Sequence, residues 1–154
     1  MTDYLIYHQY LLKESFLGFI YRRFVLYPFI RFLTGPHFLD IGCGTGIFLT
    51  YGSKKSIGLD VNPYNVSFVN SKRRANAKLI NSDGSFPINS STFPVVICDQ
   101  VIEHIEDPSI LLSEISRVIK PNGLIIVGLP LEKGFKSDPD HKKFYDLNSF
   151  LAMI

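Results

Sequence analysis

The sequence predicts an α/β fold built on a parallel sheet, and three observations carry that prediction. From Phe38 onward, short apolar runs alternate with segments of helical character, the pattern of strand–helix–strand units. A glycine-rich stretch, FLDIGCGTG from Phe38 to Gly46, joins one such run to the next segment. The following apolar run ends in an acid, Asp60.

Taken in order, the first strand covers Phe38 to Ile41 and the glycine turn leads into a short helix over Thr45 to Tyr51, stopped near Gly52. A second strand covers Ser56 to Asp60. Asn62 then caps a helix from Pro63 to about Arg74, with proline at its first position, where the missing N–H costs nothing. The third strand is Lys78 to Asn81, and the polar stretch Ser82 to Thr92 reads as loop. Phe93 to Cys98 forms the fourth strand. Asp107 and Pro108 open a helix in which Leu111, Ile115 and Val118 share one face. A Pro121-Asn122-Gly123 turn precedes the fifth strand, Leu124 to Leu129, whose unbroken apolar run predicts burial on both faces. One further helix is expected over Leu147 to Ile154.

Composition narrows the class. The chain has 154 residues, 46% hydrophobic and 19% charged, enough for one self-sufficient core. Sixteen basic against 14 acidic residues leave a net charge of +2, too small an excess to point to nucleic acid. Two cysteines, Cys43 and Cys98, do not make a disulfide scaffold and are expected to be buried, close together and unbonded. No apolar tract of about 20 residues is present, and the N-terminus lacks signal-peptide character. A cytoplasmic protein is expected.

Residues 1–34 differ from 35–154 and are expected to form an aromatic and basic helical segment, packed as a lid or lying on a surface. Phe16 to Leu33 is rich in aromatics and carries Arg22, Arg23 and Arg31, a combination that also suits peripheral contact with a membrane. Pro28 should break or kink any helix there.

The chemistry concentrates at the strand ends. Gly42, Gly44 and Gly46 allow a sharp turn and close approach of a ligand to the backbone, with helix N-terminal amides facing the space above the first strand. Asp60 either accepts from two ribose hydroxyls or caps the next helix. Asp83, in SDGSFP, either accepts from an adenine amino group, with Gly84 beside the ring, or stabilises an Asp-Gly turn.

At this point the chain resembles the class I S-adenosylmethionine-dependent methyltransferases of the small-molecule branch. FLDIGCGTG resembles their first motif, GLDVN (58–62) their ribose-binding strand end, and SDGSFP (82–87) their adenine-binding turn. CDQVIEHIEDP (98–108) and IKPNGLIIVGLP (119–130) are similar to the fourth-strand motif and the helix-turn-strand that follows. The resemblance implies a three-layer Rossmann-like sheet in the order 3-2-1-4-5, S-adenosylmethionine as cofactor and a small-molecule methyl acceptor such as a sugar, lipid precursor or phenol. It implies that Asp40 orients the loop and the methionine ammonium, that Gly42, Gly44 and Gly46 pass close to the cofactor, that Asp60 and Val61 meet the ribose, that Asp83 and Gly84 meet the adenine, and that Gln100 lies beside the methionine.

His104, just beyond the fourth strand, is the candidate base, and Glu103 reads as a solvated loop acid. His141 is placed like a histidine that faces substrate in sugar and lipid-precursor methyltransferases. The quinone-precursor branch carries ExxEH, which can hold a divalent metal. Here Gln100 replaces the first acid, so no metal is expected. The family normally adds two more strands. Their lack here makes the fifth strand an edge, to be covered by a second copy, by an ordered segment, or by more of a longer chain. A non-catalytic cofactor-binding module and a nicotinamide oxidoreductase are the competing readings, the second disfavoured because GxGxG replaces GxGxxG.

Overall fold

The computed structural model describes residues 3–12, 20–73, 75–136, 138 and 140–153. Five parallel strands form its centre: β1 (Leu39–Ile41), β2 (Ile57–Asp60), β3 (Ala77–Leu79), β4 (Phe93–Asp99) and β5 (Ile119–Gly128). Their order is β3-β2-β1-β4-β5, so the chain reverses direction across the sheet between β1 and β4. Asp40 on β1 lies opposite Gly58 on one side and Ile97 on the other, and Ile41 pairs with Cys98. This register brings Ile41, Asp60 and Asp99 to one end of the sheet.

Alternation along the strands divides the core in two. Leu39, Ile41, Leu59, Val96 and Cys98 pack with Leu111, Ile115 and Val118 of α4 (Ser109–Val118). Phe38, Val95 and Ile97 pack with Phe48, Leu49 and Val69 on the opposite face. Each layer covers one side of the pleat. Both cysteines are buried and free, but they belong to opposite layers, Cys98 to the first and Cys43 to the second.

Among the described residues, α1 (Tyr4–Leu11) and α2 (Tyr27–Thr34) precede the sheet, the latter entered through a π-helical turn at Arg22–Leu26. Pro28 sits in the first turn of α2. The expected break is therefore a widened turn just before the proline, which accommodates its ring and missing N–H while the helix continues. The outward face of this segment carries Phe24, Phe29 and Phe32, the last 84% exposed. Among the described residues no helix is long and apolar enough to cross a membrane.

Asn62 caps α3 (Pro63–Phe68) by accepting from the Tyr64 amide, and the helix ends in a π-helical turn at Val69–Arg73. Arg74, its expected last residue, lies outside the described residues. The helix expected from Thr45 is a single 3₁₀ turn, Phe48–Tyr51, because the glycine loop occupies the residues before it. Arg117 ties the loop after β3 to α4 by donating to the carbonyls of Phe86 and Ile88. After β5 come α5 (Glu132–Phe135) and α6 (Leu147–Leu151), the latter capped by Asp146.

The fifth strand departs from expectation in two ways. It starts at Ile119 and swallows the predicted turn as an irregularity: Phe93 pairs with Ile119, and Val95 next pairs with Leu124. Asn122 takes a left-handed conformation there, φ 60°. Nor is the strand buried on both faces, since Leu124 and Ile125 are 46% and 45% exposed. Periodicity reports that a run is apolar, but the sheet order decides what covers it, and β5 is an edge.

Candidate functional site

The glycine loop begins where β1 ends. Its backbone closes on itself, the Gly46 amide donating to the Cys43 carbonyl at 2.8 Å. Gly46 has φ +70°, and a Cβ on it would stand 2.6 Å from Val69, in the π-helical turn after α3. Glycine here meets both a left-handed backbone and a lack of room.

Asp60 holds this loop to β2. Its Oδ2 accepts from the Gly44 amide at 2.8 Å and from Asn65 Nδ2 at 3.2 Å, while Oδ1 accepts from the Asn62 amide at 2.8 Å. Burial raises its pKa, and those three hydrogen bonds pull in the other direction. Asp40, also buried, is raised well above the usual carboxylate range, first by desolvation and then by Asp99 and Asp60. Asp99, at the end of β4, is raised by desolvation, with Arg22 acting against it. Two buried acids and one part-buried acid, Asp99, thus converge at the carboxyl ends of β1, β2 and β4. Their mutual repulsion favours a ligand that brings positive charge.

Helix α1 lies over these groups. The Tyr4 carbonyl accepts from Asn62 Nδ2 at 2.8 Å, and Leu11 reaches within 3.5 Å of the position a Cβ on Gly44 would take. His8 Nδ1 meets Asn65 Oδ1 at 2.7 Å. The Asn65 amide nitrogen is committed to Asp60, so His8 is the donor and the chain His8–Asn65–Asp60 links helix to acid. Tyr7 meets the His104 ring edge-on, with ring centroids 6.3 Å apart. Desolvation pushes its phenol up, and Asp138, Asp140 and Asp60 push it further.

The other expected cofactor residues are distributed unevenly. Gln100 borders the site at the end of β4 in a left-handed conformation, φ 56°, its amide donating to the Gly128 carbonyl at 3.0 Å. Val61 is 56% exposed beside Asp60. Asp83 stands apart from the three acids: its Oδ1 accepts from the amide and hydroxyl of Ser85, and these bonds lower its pKa. Gly84 leaves no space for a Cβ beside Ile110. The geometry of this turn is that of an Asp-Gly turn, with Oδ1 of the exposed carboxylate engaged by Ser85.

The two candidate histidines come together although 36 residues separate them, with ring centroids 4.7 Å apart. His104 follows β4 in a 3₁₀ turn, Ile102–His104, and His141 follows α5. Between them Glu103 is 0% exposed, which corrects its reading as a solvated acid. The turn directs it inward, where its own carbonyl accepts from the amides of Lys142 and Lys143. Burial lowers the His104 pKa, and nearby His141 lowers it further; it is a neutral base at ordinary pH. Glu103, His104 and His141 each offer a donor atom within 4.8 Å of the others.

Residues 39–127 match the family described as methyltransferase domain. The chain belongs to that family. A ubiquinone biosynthesis O-methyltransferase from Colwellia psychrerythraea is 31% identical over 107 residues, which is 64% of this chain and 43% of that protein. The chain spans about half the length of the curated relatives it matches. Among solved structures, a SAM-dependent methyltransferase of Thermotoga maritima, titled a possible histamine N-methyltransferase, superposes with a TM-score of 0.76 at 19% identity, covering 98% of this chain and 78% of that one. The [4+2]-cyclase SpnF superposes at 0.67 with 21% identity, over 83% of this chain and 53% of its own. These superpositions establish the fold, and the sheet order 3-2-1-4-5 of this methyltransferase-domain chain is the expected one.

Sequence reasoning missed Asp99, Tyr7, His8 and Asn65. Asp99 stands inside the quoted CDQ motif and ends a strand, so the rule that singled out Asp60 could have found it. Nothing in the spacing of Tyr7 and His8 ties them to residues more than fifty positions away.

Proposed function

We propose that this methyltransferase-domain chain binds S-adenosylmethionine at the carboxyl ends of β1, β2 and β4 and supports transfer of its methyl group to a hydroxyl of a small molecule. The single observation that carries the reading is the set of three carboxylates, buried Asp40 and Asp60 and part-buried Asp99, around a glycine loop whose Gly44 amide Asp60 holds. A sulfonium with an ammonium group matches that charge.

When bound, the sulfonium supplies an electrophilic methyl carbon. The chain's own part is to hold and to manage one proton. Asp40 and Asp99 offset the ligand's positive charge, and Asp60 exchanges Gly44 and Asn65 for ribose hydroxyls. His104, neutral because burial disfavours its charged form, accepts the acceptor hydroxyl's proton at the nitrogen not engaged by the Asp140 carbonyl. His141 borders the same space. The O-methyltransferase names of the curated relatives favour a phenol-like acceptor over a sugar or lipid precursor.

Isothermal titration of the chain with S-adenosylmethionine, S-adenosylhomocysteine and NAD tests the cofactor. Binding of the first two and not the third is expected, and binding of NAD alone would overturn the reading. With an accepted phenol in hand, His104→Ala should reduce turnover by about 100- to 10,000-fold while leaving cofactor affinity in place. Unchanged turnover would remove His104 from the chemistry, and cofactor binding without turnover of any hydroxyl acceptor would favour a binding module.

A further inference from the structure

Helix α2 and the turn before it present an apolar face to solvent. The backbone is helical from residue 20 to residue 34. Ile20, Phe24, Pro28 and Phe32 are exposed, and each is followed by a second exposed apolar residue. No exposed charged side chain interrupts this stripe. A step of four residues overshoots an α-turn and falls short of a π-turn. The π-helical turn at Arg22–Leu26 therefore offsets the drift that the α-helical turns accumulate, and the stripe keeps to one side. Leu26 and Ile30, on the other side, pack with the core layer that holds Phe38 and Phe48. The segment is thus apolar on both faces, and only one of them meets the core. A continuous exposed apolar face of this kind marks a surface that meets something other than water.

The charge around this face has one sign. Between Ser15 and Leu59 the only acid is Asp40, which is buried. The same stretch holds Arg22, Arg23, Arg31, Lys54 and Lys55, whereas the remainder of the chain has more acidic than basic residues. Arg31 donates to the Tyr51 carbonyl at 2.9 Å, and the Ser53 amide donates to the Pro36 carbonyl at 2.6 Å. These bonds seat the exposed Lys54 and Lys55 beside the C-terminal end of α2. We propose that this face docks on an anionic lipid bilayer, its apolar stripe entering the acyl boundary and its basic side chains meeting lipid phosphates. Among the described residues no helix is long and apolar enough to cross a membrane, so the segment lies in the plane of the surface. Charge decides against a second copy of this chain. A two-fold contact sets a face against itself and would bring arginines and lysines together, whereas lipid phosphates complement them. One end of the face adjoins the candidate site, because Arg22 acts on the charge of Asp99. Phe29 and Phe32 lie toward the other end, where α2 leads into β1. The docking surface does not depend on the cofactor or the acceptor.

The test uses the full chain without nucleoside and vesicles of two compositions, phosphatidylcholine alone and an equal mixture with phosphatidylglycerol. The chain should sediment with the mixed vesicles, bind the neutral ones at least about 10-fold more weakly, and leave the mixed ones as salt rises. The double variant Phe29→Ser, Phe32→Ser loses two exposed side chains that lie outside the core. It should keep the wild-type circular dichroism and bind the mixed vesicles about 10- to 100-fold more weakly. The sequence has no tryptophan, so Phe32→Trp places a single reporter whose emission should move to the blue when mixed vesicles are added. No sedimentation with the mixed vesicles, equal binding to both compositions, equal binding by the double variant and the wild type, or an unshifted F32W emission would overturn the proposal. So would a lipid-free dimer that the double variant separates into monomers, which would assign the face to a second copy.

Discussion

Asp60 and Glu103 are both buried carboxylates at the end of the same sheet, and they meet burial in opposite ways. Asp60 accepts three hydrogen bonds, two from backbone amides. Glu103 accepts none among the described residues. The first acid is part of the scaffold: it fixes the loop that follows β1 and the helix that follows β2. The second has no hydrogen bond through its side chain among the described residues, only His141 Nε2 at 3.8 Å, and burial raises its pKa. Asp60 serves the fold before any ligand arrives.

Substitution separates the two most sharply. Asp60→Ala leaves the Gly44 and Asn62 amides and the Asn65 side chain without their acceptor, and should cost about 3 kcal/mol of folding stability in a denaturant titration. The same variant should lose about 1.5–3 kcal/mol of S-adenosylmethionine affinity; unchanged affinity would sink the ribose assignment. Glu103→Met should go the other way, raising stability by about 1–2 kcal/mol because a buried acid without a hydrogen-bond donor is replaced by a side chain of similar volume. A loss of stability there would mean that Glu103 has a structural partner after all.

Asp40 supplies the smallest expected effect and a pH dependence. Its pKa is raised in the folded chain, so the folded state keeps this proton to higher pH than the unfolded chain does. The stability it contributes is complete below the ordinary carboxylate range and is lost as pH rises through the raised value. Asp40→Asn should remove that loss, giving about 1 kcal/mol of extra stability at neutral pH and a flatter profile in thermal unfolding across pH. An unaltered profile would show that the carboxyl is not perturbed by its two acidic neighbours.

The same contrast explains how much was legible in the sequence. The sheet and its order, the Asn62 cap, the apolar face of α4 and the glycine loop all follow from local patterns, because each depends on residues a few positions apart. Asp60 was legible for the same reason: a strand end and a glycine loop fix its place. The burial of Glu103 was not, since it depends on His141 and the Lys142 amide arriving from beyond β5. The exposure of β5 was misread because its apolar run carries no record of which strand lies beside it. The coverage of the acids by α1 rests on Tyr4, His8 and Leu11, whose partners Asn62, Asn65 and Gly44 lie far along the chain.

That short helix has a bearing on timing. It is 8 residues long, too short to be stable by itself in water, and two side-chain hydrogen bonds fasten it to α3 and its cap. On the proposed site, a nucleoside bound beside Gly44 and Asp60 would lie beneath it. Release of spent cofactor would then follow the lifting of one loosely fastened helix, a motion of the microsecond-to-millisecond class. Loosening the His8 latch should shorten the residence time of the product nucleoside without altering the chemical step, and the door, not the reaction, would then set the pace of each cycle.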